Sequence, residues 1–146
     1  MPKLILETEL WVLPSVIYSI RSTSIFYHIN IISKAIMSEE FKIIDIGHQG
    51  YSIDQAITEL EIAISDSIFS KKTRVVKVIH GHGTGALKKG VRDWCDDQEG
   101  RFQGVIYGEE YSLFNPAAAN MRADCGSPSD PDLERKNGAI TYIWLW

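Results

Sequence analysis

Apolar positions change their spacing several times along the chain, and each change marks an element. From Phe41 to Ile46 the run Phe-Lys-Ile-Ile-Asp-Ile is dense in β-branched residues and is closed by Gly47 and Gly50, which predicts a buried strand. The spacing then becomes helical. Ser52 stands three residues before Gln55, a capping-box pair. Ile53, Ile57, Leu60 and Ile64 follow at intervals of four, three and four, giving one apolar face through about Phe69. Arg74 to Ile79 reads as a second strand, and it runs into a glycine-rich loop. A second helix begins near Thr84, with Leu87, Val91 and Trp94 on one side and Lys88, Lys89 and Arg92 elsewhere. Phe102 to Tyr107 and Ala139 to Leu145 complete a set of four strands. The order βαβα followed by two strands predicts an α/β fold, a two-layer sandwich of crossover helices on a mixed four-stranded sheet. The stretch from Gly108 to Gly138 exceeds ordinary loop length, so it is functional, locally helical around Ala117 to Met121, or mobile.

Composition narrows this picture only a little. A chain of 146 residues suits one compact domain, and 45% hydrophobic with 23% charged residues excludes a disordered chain as the default. Cys95 and Cys125 fit neither a disulfide framework nor metal-ligand spacing, so free thiols and a cytoplasmic setting are expected. Residues 1–36 differ from the remainder: they are apolar without a stable period, and Pro14 and Arg21 interrupt them, so no bilayer-spanning run forms. Met37-Ser38-Glu39-Glu40 reads as an alternative start, which leaves residues 37–146 as the domain. A membrane-surface anchor and an extra packing segment are the competing readings of residues 1–36.

Net charge is -4, which argues against a general binder of nucleic acid. Its distribution changes that inference. Lys71, Lys72, Arg74, Lys77, Lys88, Lys89 and Arg92 fall in one stretch without an acid, and the acids gather after it, at Asp93, Asp96, Asp97, Glu99, Glu109 and Glu110. The basic stretch is either a patch for phosphates or a solvated lysine-rich face.

Chemistry concentrates in His80-Gly81-His82-Gly83-Thr84-Gly85-Ala86-Leu87-Lys88, between strand and helix. Alternating glycines let the backbone turn sharply and approach a ligand. The helix start offers free N–H groups and a positive dipole end, Thr84 can cap or bond a phosphate oxygen, and Lys88 adds charge. A histidine here could donate a hydrogen bond or act as a general base. The loop lacks the Gly-Lys pair of a Walker motif and fits the dinucleotide fingerprint only loosely. No third ligand accompanies His80 and His82, so no metal site is assigned. A tight turn with glycines serving geometry alone is the structural alternative.

The same nine residues closely resemble the His-Gly-x-Gly-Thr-Gly-x-Leu-Arg/Lys signature of Smr domains, which occur alone or at the C-terminus of MutS-like proteins. Gly90-Val91-Arg92-Asp93-Trp94 fits the helix that follows, and Asn137-Gly138-Ala139-Ile140-Thr141 is similar to the family's closing segment. The resemblance implies a βαβαββ fold like the C-terminal domain of bacterial translation initiation factor three. It also implies nucleic-acid binding and, in several members, endonuclease activity. The family's Asp-Leu-His/Arg-Gly motif at the end of the first strand is altered. Gly50 matches its glycine, but Gln49 and Gly47 stand where the basic residue and the acid belong, with Asp45 and His48 displaced nearby.

Three functions follow as expectations. The first is a domain that binds the DNA or RNA backbone by shape more than by sequence, through Gly81, Gly83, Thr84, Gly85, Lys88, Lys89, Arg92, Lys71 and Lys72. The second is an endonuclease in which His80 or His82 handles protons, assisted by Asp45 or His48, with magnesium or manganese as the possible cofactor. The third is a non-catalytic module whose 108–138 stretch binds protein.

Overall fold

The computed structural model describes residues 39–146, so the expectations for residues 1–36 and for Met37 lie outside the described residues. The predicted capping box forms at Ser52. Its hydroxyl accepts from the Gln55 N–H, and the Gln55 side chain accepts from the Ser52 N–H at 2.9 Å. Helix α1 then runs Ile53–Ser70, after strand β1 at Phe41–Asp45. Strand β2 is Val75–Ile79, helix α2 is Ala86–Asp96 and strand β3 is Gly104–Tyr107. A short 3-10 turn at Gly108–Glu110 leads to helix α3, Pro116–Asp124, and strand β4 closes the chain at Ile140–Trp144.

The four strands form one mixed sheet in the order β1-β2-β4-β3. β1 lies parallel to β2 with Asp45 opposite Ile79, while β4 is antiparallel to both β2 and β3. This is the expected α/β arrangement, with β4 inserted between the two strands that α2 connects. α1 and α2 cover one face, where Ala56, Leu60, Ile64 and Val91 pack on Val76, Val78 and Ile143. Each large aliphatic side chain so buried contributes roughly 1.5–3 kcal/mol.

The 108–138 stretch is the larger surprise. It is locally helical, as one of its readings held, because Asn115 accepts from the N–H groups of Ala117 and Ala118 and Pro116 presets the first turn. It also covers the opposite face of the sheet. Tyr111, Ala118, Met121 and Cys125 pack there with Val75, Ile106 and Tyr142, and the rings of Tyr111 and Tyr142 stack 4.0 Å apart. Polar groups fasten this layer. Lys77 reaches Asp130 at 2.6 Å and Asp132 at 2.5 Å, and the Tyr142 hydroxyl donates to Asp130 at 2.8 Å. Arg122 donates to the Tyr111 hydroxyl at 2.6 Å and to the Pro128 carbonyl.

Lys77 is therefore buried and leaves the surface basic run to which its sequence position assigned it. Arg74 is paired too, with Asp124 at 3.2 Å. Both cysteines are free and buried, which pushes Cys95 up to about 12 and Cys125 up to about 11, so neither offers a thiolate at neutral pH. Among the described residues no helix is long and apolar enough to cross a membrane.

Candidate nucleic-acid interface

Because β1 and β2 are parallel, their C-terminal ends emerge at the same edge of the sheet, where an open α/β sheet places its crevice. The Ile46 and Gly47 amides both donate to the Ile79 carbonyl, at 3.0 and 3.1 Å. A Cβ on Gly47 would stand 2.6 Å from the His80 carbonyl carbon and oxygen, so the turn after β1 rests directly on the His80 peptide. Asp45 and His48 share that turn. The Asp45 carboxylate accepts from the Gly47 and His48 amides at 3.0 and 3.2 Å and meets His48 Nδ1 at 2.9 Å. Partial burial pushes the Asp45 carboxyl up, but the His48 ring and the two amides outweigh it and hold it below the ordinary carboxylate value. The displaced acid and histidine thus sit together, beside the glycine loop and open to solvent.

His80 is placed differently. It is 4% exposed, and its ring touches the Gly81 carbonyl through Nδ1 and the Thr141 hydroxyl through Nε2, each at 3.2 Å. A carbonyl only accepts, so Nδ1 carries the proton and Nε2 receives the hydroxyl. Burial pushes the imidazole down, reinforced by the Arg92 and Lys88 charges. With both nitrogens occupied, His80 acts as a neutral brace for the loop. The exposed imidazoles at this end of the sheet belong to His82 and His48.

The loop itself presents His82, Gly83 and Thr84 to solvent. Gly81, Gly83 and Gly85 have φ of 76°, 33° and 83°, the left-handed region that glycine enters without a Cβ penalty, and this folds the loop back before α2. Lys89 is the first residue of α2 whose N–H reaches back along the helix, to the Gly85 carbonyl at 2.9 Å. Ahead of it the Thr84 hydroxyl lies 3.4 Å from the Ala86 N–H, a long capping contact. The first turn of α2 is left able to receive an anion.

The basic residues divide into three groups. Lys88 and Arg92 converge on Glu109, with Lys88 Nζ at 2.5 Å and Arg92 Nη2 at 2.7 Å, and the Arg92 guanidinium lies 4.0 Å over the Tyr107 ring. Partial burial pushes Glu109 up, but the hydrogen bonds from Lys88 and Arg92 prevail and hold it down to about 2. Lys89 is exposed and pairs with Asp93 one turn along. Lys71 and Lys72 do not join the loop. Lys71 caps the far end of α1 and Lys72 pairs with Glu39, at the start of β2, roughly a five-residue strand or about 17 Å from the His80 end. One continuous basic patch from Lys71 to Arg92 is therefore corrected to a small paired cluster beside the loop and a separate pair at the opposite end.

Two features were not legible beforehand. Glu109 looked like one more acid after the basic stretch; its partners are 17 and 21 residues away, beyond any local period. Gly138 closes on the same pair, since a Cβ there would lie 3.0 Å from both Glu109 Oε1 and Lys88 Nζ. The sequence shows no aromatic stacking motif, yet Phe114 is 92% exposed beside the exposed Leu113.

The family model for the Smr domain matches residues 48–107, the segment that runs from the β1 turn through the glycine loop to the end of β3. Residues 48–107 are thus similar to an Smr domain. The chain is 36% identical over 50 residues to the endonuclease MutS2 of Brevibacillus brevis, covering 34% of this chain and 6% of that protein. The chain thus spans only a small part of that relative's length. It also resembles the crystal structure of the Smr domain of Thermus thermophilus MutS2, with 17% identity and a TM-score of 0.47 over 72% of this chain and 98% of that one.

Proposed function

We propose that this chain is an Smr domain and binds the phosphate backbone of DNA or RNA at the end of the sheet formed by the His82–Thr84 loop and the start of α2. The observation that carries the reading is the open first turn of α2, set behind an exposed glycine loop and beside Lys88, Lys89 and Arg92. Free amides and a helix dipole favour an anion there without selecting a base, so contacts of this kind read backbone and shape. The overall charge of -4 restricts favourable contact to this local region, which fits a modest, salt-sensitive affinity. A matching segment occurs in MutS2 of Brevibacillus brevis, an endonuclease by name.

A second reading rests on the Asp45–His48 pair. Asp45 holds Nδ1 of His48 and so orients the ring, leaving Nε2 to take a proton from a water that attacks a backbone phosphorus. The attacking oxygen would form the new P–O bond while the ester P–O bond breaks, and the leaving oxygen takes up a proton from solvent or His82. Among the described residues no three His, Cys, Asp or Glu side chains stand close enough to hold a metal ion.

Both readings are tested with end-labelled single-stranded RNA, duplex DNA and branched DNA, at low and moderate salt, with and without magnesium or manganese. Binding that weakens steeply with salt supports the first. Strand cleavage lost in Asp45→Asn and His48→Ala but retained in His80→Gln supports the second and its assignment of roles. Absence of both binding and cleavage would return the function to a protein-interaction module, with exposed Leu113 and Phe114 as its contact residues.

A further inference from the structure

Lys88 and Arg92 lie one turn apart on α2, and the 108–138 stretch supplies the single carboxylate that both address. The way Glu109 meets Arg92 is incomplete. Nη2 alone serves both carboxylate oxygens, at 2.9 and 2.7 Å, while Nε, on the same edge of the guanidinium, is buried with no hydrogen-bond partner. Arginine normally meets an oxyanion with two nitrogens in parallel, and an unpaired buried donor asks for an explanation. The Glu109 side chain is 38% exposed and arrives on a short 3-10 turn, so an anion from solvent can compete for its place. Lys88 stands on the first turn of α2, directly after the glycine loop, so the cluster lies beside that loop.

We propose that Lys88 and Arg92 form a phosphate-binding site which Glu109 occupies as an internal stand-in, to be displaced when a phosphate group arrives. The proposal deepens the nucleic-acid reading above and rests on it for the source of that phosphate. A tetrahedral phosphate has the extra oxygen needed to engage Nε as well as Nη2 and Lys88 Nζ, which a carboxylate tethered to Glu109 does not. Protonation does not empty the site near neutral pH, because the two cations keep Glu109 ionised; exchange for a competing anion does. The free domain thereby hides two of its cations, and weak or adventitious anions are kept out.

The test compares wild type, Glu109→Gln and Lys88→Gln/Glu109→Gln, using inorganic pyrophosphate as the probe in thermal unfolding and a labelled single-stranded RNA in a binding titration. Glu109→Gln keeps a hydrogen-bond acceptor for Lys88 and Arg92 while removing the competing charge. It is expected to respond to pyrophosphate at concentrations on the order of tenfold lower than wild type, and to bind RNA tighter by a similar factor with a steeper salt dependence. Removing Lys88 as well should abolish the gain. An identical pyrophosphate response in wild type and Glu109→Gln overturns the proposal and marks Glu109 as a clamp for the 108–138 stretch only; RNA binding by wild type in that case leaves the nucleic-acid reading standing. A pyrophosphate gain in Glu109→Gln, with RNA bound by neither protein, upholds the phosphate site and removes nucleic acid as its source. If Glu109→Gln fails to fold, Glu109→Asp, too short to span both cations, is held to the same criterion.

Discussion

Under α1 and α2 the sheet is closed by aliphatic packing, Leu60 and Ile64 against Val76, Val78 and Ile143, with nothing polar required. Across the sheet, the 108–138 stretch is closed by Tyr111 and Met121 together with a buried cation, Lys77, held between Asp130 and Asp132. The first face tolerates gradual change because its energy is spread over many small contacts. The second depends on a few groups that must all be paired, since a buried charge without its partner is costly. That contrast matters for the site, because the 108–138 stretch delivers Glu109 at one end and Gly138 at the other, and both flank Lys88.

The largest effect should come from Lys77→Met, which leaves the buried Asp130 carboxylate without its cation and is expected to cost about 3–5 kcal/mol. Amide exchange would then show protection lost first across residues 111–135 while α1 and β2 keep theirs. Leu60→Ala, on the other face, should cost about 2–5 kcal/mol and lower protection throughout the sheet. If both variants loosen the molecule uniformly, the distinction between the faces fails. A smaller effect follows from His80. Its folded imidazole titrates below the ordinary value of 6.5, so the folded state binds fewer protons than the unfolded chain near that pH. The stability this contributes is complete above about pH 6.5 and is lost as pH falls from there toward the depressed folded value. A urea midpoint followed from pH 7 downward should fall through that window in wild type, and His80→Gln should lack this component.

The aliphatic face was readable from spacing because each of its contacts repeats within one helix or strand: Ile57, Leu60 and Ile64 recur along α1, and the Ser52 box announces where it starts. Even there Ile53, counted on the apolar side, is substantially exposed at the first turn of α1. The polar face was not readable. Lys77 and Asp130 are 53 residues apart and have no periodic relation, so Lys77 looked like one more solvent-facing base. The glycine loop showed itself through its residue types, but its inner histidine did not, because His80 is buried by Thr141, 61 residues further along. Asp45 and His48 were visible as displaced residues; their meeting depends on the turn that Gly47 makes against the His80 peptide.

The two ends of β2 offer the most direct test of the central claim, that nucleic acid binds at the loop end. Lys88→Gln/Lys89→Gln removes two charges beside the glycine loop, and Lys71→Gln/Lys72→Gln removes two at the opposite end. Both variants and wild type would be titrated with one single-stranded RNA at several salt concentrations. The account predicts that the loop-end variant binds more weakly and that its plot of log affinity against log salt flattens by roughly one to two, while the far-end variant matches wild type. Equal losses in the two variants, or a loss confined to Lys71 and Lys72, would contradict it.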